Sequence, residues 1–129
     1  NINQYRAVPN IINTVLKNQH PYVVGDGSTF RDYMYIDDCL NACINATLLK
    51  VDGIVNVASG TGTSIKEIAD IIINISKKDL TLKHDYKIKK EWSAVCDTTK
   101  QKEILKFIPL FSIHNGLDLT YKWHKTYQN

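Results

Sequence analysis

Apolar residues recur along this chain with two periods, and the switches between them outline its elements. Val8, Ile11, Ile12, Val15 and Leu16 share one face of a helix expected over 8–17. Pro9 suits its first turn, where a missing N–H costs nothing. Asn18-Gln19-His20-Pro21 ends that helix, and Tyr22-Val23-Val24 predicts a short strand. Gly25-Asp26-Gly27 predicts a turn, because two glycines allow backbone angles that other residues resist. Phe30 to Tyr35 then alternates as a strand of aromatic and β-branched residues.

Asp37 to Leu49 predicts a second helix, with Asp37 and Asp38 as caps and an apolar stripe of Leu40, Cys43, Ile44, Thr47 and Leu48. Ile54-Val55-Asn56-Val57 follows the Asp52-Gly53 turn as a continuous strand of the buried kind. Ser64 and Glu67 have capping-box spacing for a helix running to about Ser76, with Ile65, Ile68, Ala69, Ile72 and Ile75 inward. Leu80 to Lys83 predicts a short strand, and 87–92 is polar and irregular. A helix over 98–106 follows, behind Asp97 or Thr98. Pro109 breaks the chain, and Ser112 caps a last helix that buries Ile113, Leu117, Tyr121 and Trp123.

The 129 residues have the size of one domain, with the apolar and charged fractions of an ordinary soluble protein. No apolar run reaches the length of about 18 residues that a membrane helix needs. No signal peptide is expected, and the opening Asn-Ile-Asn-Gln reads as a cut through a longer protein. The net charge of +3 is spread rather than massed. Even Lys77 to Lys102 is interrupted by Asp79, Asp85, Glu91 and Asp97, which argues against nucleic acid as a partner. Cys39, Cys43 and Cys96 form an odd set that fits a reducing, cytoplasmic compartment. Cys39 and Cys43 lie on one helix face and read as small core residues. His20, His84, His114 and His124 share no ligand spacing, so no metal site is assigned.

Ser59-Gly60-Thr61-Gly62-Thr63 precedes a helix, as a phosphate loop does. It has neither the Gly-x-Gly-x-x-Gly nor the Walker spacing, and a tight strand-to-helix connection accounts for it better. Arg31 is one of only two arginines and stands just behind the Gly-Asp-Gly turn. Its guanidinium suits phosphate oxygens; pairing with Asp32 or Asp37 on the surface is the alternative.

Four landmarks in one order are more specific than any one alone. They are Val8-Pro9-Asn10-Ile11-Ile12; Gly25-Asp26-Gly27 with Arg31-Asp32-Tyr33 and Tyr35-Ile36-Asp37-Asp38; Asn56-Val57-Ala58-Ser59-Gly60 with Thr63-Ser64-Ile65; and Asp97-Thr98-Thr99-Lys100 before Leu105. Together they resemble the C-terminal half of the NAD-dependent epimerase/dehydratase family, the extended short-chain dehydrogenases that act on nucleotide sugars. The resemblance implies an α/β fold of α+β-like character, with short mixed strands packed against about five helices. It implies a C-terminal substrate domain, 1–129, without its Rossmann half.

The family's glycine-rich dinucleotide motif and Tyr-x-x-x-Lys pair belong to that other half. Only Tyr121 here has a lysine four residues on, Lys125, and it lies in the terminal helix. No catalytic residue is therefore expected, and the chain alone should be inactive and hold no NAD(P). By the resemblance, Arg31 contacts the nucleotide diphosphate. Tyr22, Val23 and Val24 line the base slot, with a plain core strand as the alternative. Arg6, Ala7 and Pro9 match the start of the helix that flanks that slot, where relatives often carry asparagine in place of Arg6. Lys87, or Lys89 or Lys90 with a small shift, stands where relatives carry a second arginine; solvated surface lysines are the alternative. The implied partners are a nucleoside-diphosphate sugar, the protein's own N-terminal Rossmann domain and a homodimer mate. A binding or regulatory module that kept the fold without the chemistry is the competing function.

Overall fold

The computed structural model describes residues 6–86 and 92–127. Helix α1 (Ala7–Leu16) forms where the spacing of its apolar residues requires, and Ile11, Ile12 and Val15 are buried. Strand β1 (Tyr22–Val24) follows, then β2 (Phe30–Asp32), α2 (Ile36–Leu48), β3 (Gly62–Ser64) and α3 (Ile65–Ser76). Strand β4 (Lys83–Asp85), α4 (Thr99–Ile104) and α5 (Ile113–Tyr127) complete the order. The predicted mixture of short strands and five helices is what the described residues contain.

Two small ladders tie distant parts together. β1 runs parallel to β4, with Tyr22 opposite Lys83 and Val24 opposite Asp85. β2 runs antiparallel to β3, with Arg31 opposite Thr63. The main core gathers Ile11, Ile12 and Val15 from α1, Val23 from β1, Ile68, Ala69 and Ile72 from α3, and Leu117 and Tyr121 from α5. A second cluster joins Ala42 to Leu105 and Phe107, with Met34, Ala46, Val51, Val55 and Val57 against it. Lys78 Nζ donates to the carbonyls of Val15 (2.7 Å) and Leu16 (2.9 Å), placing a cation on the negative end of α1.

The capping box of α3 is complete. Ser64 Oγ accepts from Glu67 N at 3.1 Å, and the Glu67 carboxylate accepts from Ser64 N at 2.8 Å. The hydrogen bonds from Ser64, side chain first and backbone second, hold the Glu67 carboxyl below its ordinary range. A carboxyl depressed by folding stabilises fully above its unfolded value and loses that contribution as pH falls through its folded one. Ser64→Ala is expected to cost about 1 kcal/mol at neutral pH. In urea titrations the gap between variant and parent should narrow below pH 4 or so, the ordinary carboxylate range; a pH-independent gap would contradict the reading.

Several elements depart from their expected bounds, each for a physical reason. The strand expected over Phe30 to Tyr35 stops at Asp32, because β3 offers only three pairing residues. Strand β3 overlaps the stretch expected to be a tight strand-to-helix connection before α3. The Leu80–Lys83 strand is displaced to Lys83–Asp85, since Leu80 and Leu82 pack on the core rather than pairing. The helix expected over 98–106 is only Thr99–Ile104. Asp97 accepts from Thr99 N (2.8 Å) and Oγ1 (2.6 Å) at its start.

Larger corrections concern α2 and its sequel. Its stripe points away from the described core: Leu40 and Ile44 are each 54% exposed and Leu48 74%. Cys43 is exposed and Cys39 half-buried, so Cys43 is no core residue. The buried side is the small one, with Asp38 and Ala42. Asp38 does not cap the helix; its carboxylate accepts from Leu110 N (2.9 Å) and Phe111 N (3.0 Å). Tyr35 is the N-cap residue, with no side-chain capping bond. Ile54 to Val57 forms no strand, and no described strand lies beside it; Ile54 is 88% exposed. Leu40, Ile44, Leu48 and Ile54 thus leave apolar surface uncovered by the described residues.

Ser112 caps α5 as expected, its Oγ accepting from Asn115 N at 3.1 Å. Trp123, expected inward, is 54% exposed. It lies two residues past Tyr121, on roughly the opposite side of the helix, and His124 takes the inward place. No described helix is long and apolar enough to cross a membrane.

Candidate functional site

The Gly25-Asp26-Gly27 turn docks β2 on the start of α3. Gly27 has φ +72°, and a Cβ there would sit 3.0 Å from both Lys66 Cβ and Val23 Cγ2. Only glycine fits both the angle and the space. Asp26 Oδ1 fixes the turn by accepting from Ser28 N (2.9 Å) and Oγ (2.6 Å). Lys66 N donates to Gly27 O and Ile65 N to Thr29 O, each at 3.0 Å.

β2 leaves this anchor with Arg31 facing a cavity of about 420 Å³. Arg6, Ala7, Val8, Pro9, Thr29, Tyr33 and Ile65 complete its lining. The chain's two arginines thus line one opening. The N-terminus of α1 opens there as well. Its N-cap residue is Arg6, with no side-chain capping bond, and its first turn carries no acid. A helix N-terminus beside two guanidinium groups favours an anion, and the cavity falls in the range of small-molecule sites, roughly 300–1,000 Å³.

Arg31 is held before any ligand arrives. Its Cζ lies 4.7 Å from the centroid of the Trp92 ring, a cation–π contact. Its Nη1 donates to the carbonyls of Trp92 and Phe30. Beyond Trp92 the chain follows β2: Phe30 N donates to Ser93 Oγ (3.1 Å) and Ala94 N to Phe30 O (3.3 Å).

Of the residues singled out in the sequence, Arg31 and Arg6 are brought together. Tyr22 (65% exposed), Val23 (buried in the core) and Val24 (half-buried) stand in β1 and are not among the cavity's lining residues. Lys87 and Lys89 lie outside the described residues. Tyr121 is buried in the core, where desolvation raises its hydroxyl pKa, the wrong direction for a base. No cluster able to hold a metal occurs among the described residues. Sequence reasoning placed the start of α1 beside the site through Arg6 but missed Trp92. A lone aromatic in a polar run was the available signal.

Known proteins agree with this fold. The model of the NAD dependent epimerase/dehydratase family matches residues 2–58. UDP-N-acetyl-alpha-D-glucosaminuronate decarboxylase of Bacillus cytotoxicus is 29% identical over 131 residues, covering 95% of this chain and 41% of its own length. GDP-mannose 3,5-epimerase 1 of Oryza sativa subsp. indica is 30% identical over 78% of this chain and 27% of its own. The crystal structure of UDP-glucuronic acid 4-epimerase from Bacillus cereus, in complex with UDP-glucuronic acid and NAD, superposes with a TM-score of 0.83. It is 27% identical, over 95% of this chain and 40% of that one. The chain thus spans about two fifths or less of the proteins it matches. Matched along its first half in sequence and nearly throughout in fold, the chain belongs to the NAD dependent epimerase/dehydratase family.

Proposed function

We propose that residues 1–129 are the C-terminal, nucleotide-sugar-binding part of an NAD-dependent epimerase or dehydratase of the cytoplasm. The observation that carries this reading is the meeting of Arg6, Arg31 and the α1 N-terminus at one cavity. Arg31 holds the diphosphate through its N–H groups and Arg6 adds a second charge. Strand β1 flanks the base slot through Tyr22 and Val24, with Val23 anchoring it in the core, and Lys87 and Lys89 supply further positive charge. Gripping this remote part of the substrate fixes the sugar for reaction elsewhere. NAD(P), bound by the N-terminal half, supplies the hydride acceptor; no residue of this chain takes or gives the proton. The exposed apolar side of α2, with Ile54 beside the second cluster, is where that half seats. This chain alone is inactive and binds no NAD(P), and the whole protein pairs as a homodimer.

Calorimetric titration with UDP tests the reading. Arg31→Ala is expected to weaken binding at least tenfold, the loss of one or two charge-assisted hydrogen bonds at about 1.5–3 kcal/mol each. Equal affinity of the variant and parent would remove Arg31 from the site.

A further inference from the structure

Asp32 is absent from the cavity's lining, yet its carboxylate gathers the chain around it. Oδ1 accepts from Ser59 N (2.8 Å) and Ser59 Oγ (2.5 Å). Oδ2 accepts from Gly60 N (2.9 Å) and Cys96 N (3.3 Å). One oxygen therefore grips the connection ahead of β3. The other also reaches the segment that carries Trp92. Gly60, with φ +75° and its would-be Cβ 3.0 Å from Thr98 Oγ1, closes the same junction from the far side.

We propose that Asp32 is the positioning residue of the Arg31 site: through Oδ2 it holds 92–96 along β2, so that Trp92 covers the guanidinium. Residues 93, 94 and 96 bond to Phe30 or Asp32 in turn, a pinned strip that begins beside Trp92. A ring on the guanidinium face directs an anion to the plane of its N–H groups, where bidentate pairing occurs. A long side chain fixed in advance also gives up less rotamer freedom when the anion binds. The inference rests on the proposed anion role of Arg31 only where ligand affinity is concerned.

Asp32→Asn divides the two grips. Its single oxygen can serve the two Ser59 donors, while its amide sets N–H against the N–H groups of Gly60 and Cys96. Cys96→Pro deletes the Cys96 donor while sparing Gly60 N, at the cost of fixing φ at 96 and restricting Val95. With two arginines in the chain, the side-chain Nε signal of Arg31 is separable by nitrogen NMR, and Trp92→Leu marks its position without the ring. In folded Asp32→Asn and Cys96→Pro chains, the signal should move most of the way to the Trp92→Leu position. Ser59→Ala, which spares Oδ2, should leave it in place. A parent-like Arg31 signal in either folded variant overturns the proposal. With UDP as probe, Asp32→Asn should weaken binding about tenfold, and Asp32→Asn/Trp92→Leu no more than Trp92→Leu alone. Multiplying losses overturn it as well. A parent that binds no UDP, beside variants whose Arg31 signal shifts, supports the positioning role and counts against the anion reading.

Discussion

Ile72→Ala is expected to cost about 2–5 kcal/mol, read as a fall in the urea midpoint with unchanged slope. Ile72 is fully buried at the middle of α3, in the cluster that α1, β1, α3 and α5 build together. Truncation removes three carbon atoms from a place where rigid helices on two sides limit collapse, so the cavity adds to the lost transfer energy. Native domains hold only about 5–15 kcal/mol in total, so this one change takes a large share. Leu40→Ala removes a similar volume from α2, yet Leu40 is 54% exposed and should stay within about 0.5 kcal/mol of the parent. Equal losses at the two sites would mean that the described core is misplaced.

Asp38→Ala should cost about 3 kcal/mol by the same measurement. The Asp38 side chain has no exposure, and its two oxygens accept from Leu110 N and Phe111 N. Bonds to an ionised acceptor are worth about 1.5–3 kcal/mol each, and truncation leaves two donors without it. Asp38→Asn keeps the shape but turns one acceptor into a donor facing an N–H. It should therefore recover little. An Asp38→Asn protein within 0.5 kcal/mol or so of the parent, the scatter of neutral substitutions, would show that the charge is dispensable.

What could be read in the sequence was local. The Ser64–Glu67 box, the Ser112 cap and the α1 face are set by residues within one or two helical turns. The α2 stripe was misassigned because periodicity finds apolar residues without saying which neighbour meets them. The small side of α2, Ala42 and Ala46, meets Leu105 and Phe107 here and signals weakly. Ile54 to Val57 has the composition of a strand, but a strand exists only with a ladder partner. Arg31 was visible as a rare residue in a telling place. Most of its company was not: Trp92 and the donors to Asp32 come from segments far along the chain, several of them backbone N–H groups that no side-chain motif records.

The two apolar sides of α2 make stability a shared quantity. A body that covers Leu40, Ile44 and Leu48 binds the folded chain and has no such surface to bind on the unfolded one. By mass action it draws the equilibrium toward the native state in proportion to its concentration and affinity. When the cover is part of the same polypeptide, that concentration is set by the tether and does not fall on dilution. If the half proposed above supplies that cover, the melting temperature becomes a property of the covalent assembly, and the stretch alone should melt at a lower value.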